Sequence, residues 1–133
     1  LILYLDTSAL VKRYVEESGS ETVLGAMTPE STWSMCRIGY VETVRAVGLG
    51  GAPGDVARVR REWSLFDVVE ISQRLAELAA RVALSTGLRA LDALHLASAL
   101  SLAAGDVTFA TWDVRLHRAA REHGLRTLPA ALA

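Results

Sequence analysis

At 133 residues, 51% of them hydrophobic and with a formal net charge of −1, the chain has the size of one domain spanning 1–133, and its near-neutral balance excludes nucleic-acid binding driven by overall charge. Polar or charged positions break every apolar run short of the ~18 residues a membrane span requires, and no charged leader with an apolar core opens the sequence. The single cysteine, Cys36, excludes an internal disulfide and has no zinc-ligand spacing around it, so a cytoplasmic setting is expected.

Leu1-Ile2-Leu3-Tyr4-Leu5 is a short apolar run stopped by Asp6-Thr7-Ser8, the pattern of a strand buried on both faces that hands over to a helix cap. A helix follows from about Ser8 to Glu17, a second short one after Gly19, and Ser31-Thr32-Trp33-Ser34-Met35 offers a second strand. Ile38, Val41, Glu42, Arg45 and Leu49 share one helical face, and Gly48, Gly50, Gly51 and Pro53 end that helix near Leu49. Val56, Val59, Trp63 and Phe66 keep helical spacing, and Asp67-Val68-Val69-Glu70-Ile71 reads as a third strand. Ser72 caps the next helix, in which Leu75, Leu78, Ala79 and Val82 lie at i, i+3, i+4 and i+7 and which Gly87 closes. From Ala90 to Ala104 the pattern is apolar almost all round, as in a central helix, with Asp92 in its first turn. Val107-Thr108-Phe109-Ala110-Thr111 is a fourth strand, stopped by Trp112-Asp113, and a helix to Gly124 and a brief strand around Arg126-Thr127-Leu128 complete the chain.

This alternation predicts an α/β fold, a three-layer α/β/α sandwich on a mostly parallel four- to five-stranded sheet, with right-handed crossovers. Sites in such sheets form at the carboxyl ends of the strands, where Asp6 and Asp113 fall. Each of these two is explained equally well as a helix N-cap. Glu42, on a face with Ile38 and Leu49, is either a functional acid or the i+3 partner of Arg45. Asp92 either faces a site or answers the dipole of its own helix. The joint reading rests on four separate elements each carrying an acid that a parallel sheet can gather into one pocket. Four such carboxylates would repel one another. A hard divalent cation, Mg2+ or Mn2+, relieves that repulsion, prefers oxygen ligands and accepts phosphate oxygens. The chemistry implied is phosphoryl transfer to water.

Asp6-Thr7-Ser8-Ala9-Leu10, Glu42 in a mid-chain helix, Leu91-Asp92-Ala93-Leu94-His95-Leu96-Ala97 and Thr111-x-Asp113 together resemble the VapC toxins of the PIN-domain family, over essentially the whole chain. The resemblance implies a Mg2+- or Mn2+-dependent endoribonuclease with RNA as substrate, the toxin of a type II toxin–antitoxin system. It further implies a homodimer held inactive by a small cognate antitoxin. The matched positions are Asp6, Glu42, Asp92 and Asp113 as metal-binding and catalytic acids, with Ser8 and Thr111 as supporting hydroxyls. Attack by metal-activated water would leave a 5′-phosphate and a 3′-hydroxyl.

Around this constellation, His95 is either a packed core histidine or a group that bonds a carboxylate, orients water or touches RNA. Lys12 and Arg13 lie one turn beyond Ser8, within reach of phosphate if their helix borders the pocket. Trp112 is the aromatic best placed to stack on a base, whereas Trp63 reads as core or a partner contact. Two arginine runs, Arg58-Arg60-Arg61 and Arg115-Arg118-Arg121, read as solvated faces before RNA guides. Val15, Val23, Leu24 and Trp63 are candidates for an antitoxin groove or dimer contact, with core packing the simpler expectation. No glycine-rich phosphate loop follows the first strand. The only lysine, Lys12, cannot serve as the late-strand lysine of a receiver domain, and Ser8 occupies the place of a dehalogenase-type second aspartate. The competing reading is a catalytically silent PIN-like module that binds a partner protein through other surfaces.

Overall fold

In the computed structural model, which describes residues 1–132, the apolar opening run forms β1 (Ile2–Leu5) and passes straight into α1 (Thr7–Tyr14). The chain continues through α2 (Ser20–Ala26), β2 (Thr32–Cys36), α3 (Arg37–Gly50), α4 (Asp55–Glu62) and a 3₁₀ turn at Trp63–Leu65. It completes with β3 (Asp67–Val69), α5 (Gln73–Thr86), α6 (Ala90–Ser101), β4 (Val107–Ala110), α7 (Val114–Glu122) and β5 (Arg126–Leu128). The strands form one sheet in the order β3-β2-β1-β4-β5, and every pairing is parallel. The first strand is therefore the middle one. Tyr4 stands opposite Ser34 on one side and Phe109 on the other.

Alternation along β1 divides the interior in two, as a period-2 element must. Leu3 and Leu5 face a cluster with Leu10, Val23, Val47 and Val59 from α1 to α4. Tyr4 faces the other cluster, built with Leu75, Leu96, Leu116 and neighbours from α5, α6 and α7. The sheet is thus the middle layer of three. Burying one such leucine is worth roughly 1.5–3 kcal/mol, and these apolar faces hold the strand ends in place.

Three strand-to-helix junctions are fixed by side-chain caps. Asp6 accepts from the Ala9 N–H, Ser72 from Leu75 and Asp113 from Leu116. Gly87 ends α5 at φ +75, where a side chain would be strained. The expected face of α3 is not the buried one. Val41 is 60% and Leu49 73% exposed, while Gly39, Thr43 and Val47 are buried. The contact uses small residues: a Cβ at Gly39 would lie 2.5 Å from the Met35 sulfur. Close approach of α3 to β2, not hydrophobicity, selects that face. Val15 and Trp63 are partly buried against the core and Val23 is fully buried. Among the described residues, no helix is long and apolar enough to cross a membrane.

Candidate active site

Parallel pairing sets the ends of β1, β2 and β4 along one edge of the sheet, and the first acid follows β1 directly. Asp6 is only 4% exposed. Its Oδ1 accepts from the Ser8 hydroxyl at 2.7 Å and the Ala9 N–H at 2.9 Å, and its Oδ2 from the Thr111 hydroxyl at 2.6 Å. The Thr111 oxygen accepts in turn from the Asp113 N–H at 3.1 Å, and the Ser8 oxygen from the Trp112 N–H at 2.9 Å. The two hydroxyls thereby stitch the end of β1 to the end of β4, and each acid also caps the helix behind it. Burial pushes the Asp6 carboxyl up; nearby His95 and the bonds from Thr111, Ser8 and Ala9 oppose the rise without cancelling it. Among the described residues neither Asp6 nor Asp113 has a lysine or arginine within ion-pair distance.

The second group centres on Glu42 of α3. Its Oε1 accepts from the Thr7 hydroxyl at 2.8 Å and pairs with His95 Nε2 at 2.7 Å. Arg45 is not its partner. Burial favours the neutral form of Glu42, yet the hydrogen bonds from His95 and Thr7 hold the carboxyl below the usual range. His95 is 2% exposed, and its Nδ1 lies 2.8 Å from the Tyr4 hydroxyl. That hydroxyl accepts from the Cys36 N–H at 3.0 Å, and burial holds the Tyr4 phenol well above its ordinary pKa. Asp92 in the first turn of α6 lines one surface cleft with Glu42, Arg89, Ala90 and Leu91. Its Oδ2 is 3.5 Å from Arg89.

Two pairs therefore form, Asp6 with Asp113 through Thr111 and Glu42 with Asp92 along the cleft. The expectation of four gathered acids is met only this far. Among the described residues no group of three or more His, Cys, Asp or Glu side chains is clustered as a ready ion site. Each acid is instead turned to a protein partner, Asp92 to Arg89 and Asp113 to its helix N-terminus. In kind the donors suit a hard cation, being carboxylates and hydroxyls without thiolate, and an uncompensated buried carboxylate such as Asp6 favours one.

The flanking residues differ from expectation. Lys12 pairs with Glu17 at 2.9 Å and lies over the Trp112 ring, with a side chain only 9% exposed. Arg13 grips Glu62 through two nitrogens and lies over Trp33. Both are turned to internal partners rather than to phosphate, because α1 packs its basic turn against α4 and the β4–α7 junction. Trp112 packs against the core and beneath Gly19, with a ring face already taken by Lys12. His95 is buried with both nitrogens engaged, so of its expected roles it fills the carboxylate bond and not contact with RNA. Thr7 and Tyr4 went unnoticed in the sequence. The signal for Tyr4 was a hydroxyl inside an otherwise aliphatic strand, which must find a buried partner.

Comparison with known proteins agrees with this architecture. Residues 3–122 match the PIN domain family. Ribonuclease VapC45 of Mycobacterium tuberculosis is 32% identical, over 98% of this chain and 97% of its own. Ribonuclease VapC47 from the same species is 32% identical over 95% of both. Among solved structures, a toxin–antitoxin complex from Klebsiella pneumoniae superposes with a TM-score of 0.67 at 22% identity, covering 84% of this chain and 87% of that one. PAE2754 from Pyrobaculum aerophilum gives 0.68 at 20% identity, covering 97% and 85%.

Proposed function

The chain belongs to the PIN-domain family, with VapC ribonucleases as near-full-length relatives, and from that premise we infer that it is an endoribonuclease hydrolysing RNA phosphodiester bonds. It acts as the toxin of a type II toxin–antitoxin system, as a homodimer restrained by a small antitoxin protein. Its cofactor is Mg2+ or Mn2+, held by Asp6, Glu42, Asp92 and Asp113. The observation carrying this reading is Asp6: a buried carboxylate, bound by three hydrogen bonds and, among the described residues, paired with no lysine or arginine, at the carboxyl edge of a parallel sheet.

When bound, a divalent ion supplies acidity to a coordinated water and offsets charge on the phosphate oxygens. The chain's own residues do the rest. Ser8 and Thr111 hold Asp6 in one orientation and tie it to Asp113. Glu42 has one oxygen fixed by Thr7 and His95, and its other oxygen has no protein hydrogen bond among the described residues, so it is free to orient the attacking water. Asp92 would be among the residues that hold the ion, and the Arg89 guanidinium 3.5 Å from it can meet a phosphate oxygen.

Purified protein freed of antitoxin is incubated with total cellular RNA and Mn2+, beside an EDTA control and an Asp92→Asn variant, and 5′ ends are mapped. Discrete metal-dependent cuts bearing 5′-phosphates, absent from both controls, are expected. Ends carrying 2′,3′-cyclic phosphate would contradict water as nucleophile, and preference for a matched DNA strand would overturn the substrate. A folded protein that neither cuts nor binds Mn2+ would leave the silent partner-binding module as the reading.

A further inference from the structure

Glu42 is held not by its own helix but by Thr7 of α1 and, from the far layer of the molecule, by His95 of α6. Tyr4 is fully buried at the centre of the middle strand, its ring stacked on Phe109 at 5.4 Å and edge-on to His95 at 5.9 Å. The Tyr4 oxygen accepts the Cys36 N–H at 3.0 Å, so its own proton is available to His95 Nδ1 at 2.8 Å. A neutral ring that accepts at Nδ1 carries its proton at Nε2, which lies 2.7 Å from Glu42 Oε1. The Thr7 hydroxyl, 2.8 Å from the same oxygen, completes the pair of donors. The arrangement runs in one direction, from a strand backbone through phenol and imidazole to a carboxylate, and its first members, Cys36 and Tyr4, are fully buried.

We propose that Tyr4 and His95 are positioning residues of the nuclease, a hydrogen-bond relay that fixes the His95 tautomer and through it the orientation of the Glu42 carboxylate in the cleft shared with Asp92. The inference rests on the ribonuclease reading for its catalytic consequence, and on hydrogen-bond geometry alone for the relay. Donors that set a functional carboxylate or imidazole commonly matter 10–100-fold in affinity or activity. A His95 ring that were mere filling would be replaceable by any group of similar bulk. A relay demands a donor at the Nε2 position.

Three variants and one spectroscopic measurement separate these cases. In His95→Gln the side-chain amide reaches about as far as Nε2 and can donate to Glu42, whereas in His95→Asn it falls short. Gln is expected to retain cleavage within about 5-fold of wild type and Asn to lose about 10–100-fold, together with weaker Mn2+ binding by calorimetry, at matched melting temperatures. Equal activity of the two would overturn the relay. Independently of metal or RNA, 15N spectra of the imidazoles are expected to show His95 as the Nε2–H tautomer, and Tyr4→Phe to change that population. A wild-type ring protonated at Nδ1 alone or at both nitrogens, or a tautomer indifferent to Tyr4→Phe, would overturn it too. Wild-type protein that neither cuts RNA nor binds Mn2+ would overturn the nuclease reading instead, and the spectra would still decide the relay.

Discussion

Glu62, with a side chain 22% exposed, accepts from Arg13 Nε at 2.9 Å and from the Tyr14 hydroxyl at 2.7 Å, and so binds α4 to α1. Burial would raise its pKa, but the bonds from Arg13 and Tyr14 outweigh it and hold the carboxyl below the ordinary range. The folded value lies below the unfolded one, so this contribution is present above about pH 4.3 and is lost as pH falls through the folded value. Acid titration of melting temperature should show that loss in wild type and a smaller one in Glu62→Gln. Glu62→Ala removes the acceptor of three hydrogen bonds from Arg13 and Tyr14 and should cost about 2–3 kcal/mol in urea denaturation. At this scale the sequence offers the four acids in order, with Ser8 and Thr111 as hydroxyls beside them, but not the Thr7 bond to Glu42 or the distant counter-ions of the basic residues. Arg13 pairs with a residue 49 positions away, and no local pattern announces that a basic side chain already has a distant counter-ion.

Elements were more readable than faces. Capping side chains mark where α1, α5 and α7 begin, since each satisfies N–H groups that the helix leaves open. The β3 segment ended at Val69, before the Ile71 expected from composition, and Ile71 is 44% exposed. The α3 face was misjudged because Gly39 and Thr43 contribute closeness rather than apolar area. Glycines at helix starts give a direct test of such closeness. Gly19 and Gly54 have nearly the same backbone angle, φ +96 and +95, but a Cβ at Gly19 would lie 2.9 Å from the Trp112 ring, whereas at Gly54 it meets open space. Gly54→Ala should cost roughly 1 kcal/mol of conformational strain. Gly19→Ala should cost that plus about 1–3 kcal/mol of overpacking, and comparison of the two unfolding curves checks the difference. A loss at Gly19 no greater than at Gly54 would mean the Trp112 ring is free to yield.

For the whole molecule, an ion that binds only the folded state must raise its stability by linkage. At a Mn2+ concentration of 100 Kd the gain is about 2.7 kcal/mol, read as a rise of several degrees in melting temperature that EDTA reverses. Asp6→Asn should abolish the Mn2+ response. Without metal the variant should melt no lower than wild type, because it removes a charge that burial disfavours while keeping an oxygen for Ser8 and Ala9. A metal response that survives in Asp6→Asn would move the ion elsewhere.

The order of the sheet also sets when such an active site can exist. The strand that carries Asp6 is made first but sits in the middle, and it pairs with β4 only after residues 107–110 are available. The hydroxyl that fixes Asp6 belongs to a residue 105 positions later. A nascent chain that has not yet presented residues 107–111 has neither the second flank of β1 nor the Asp6–Thr111 bond. Closing contacts this distant in sequence is slow as well as late. However early Asp6 itself appears, the carboxyl edge that carries it is therefore not assembled until residues 107–111 have been made and have docked beside β1.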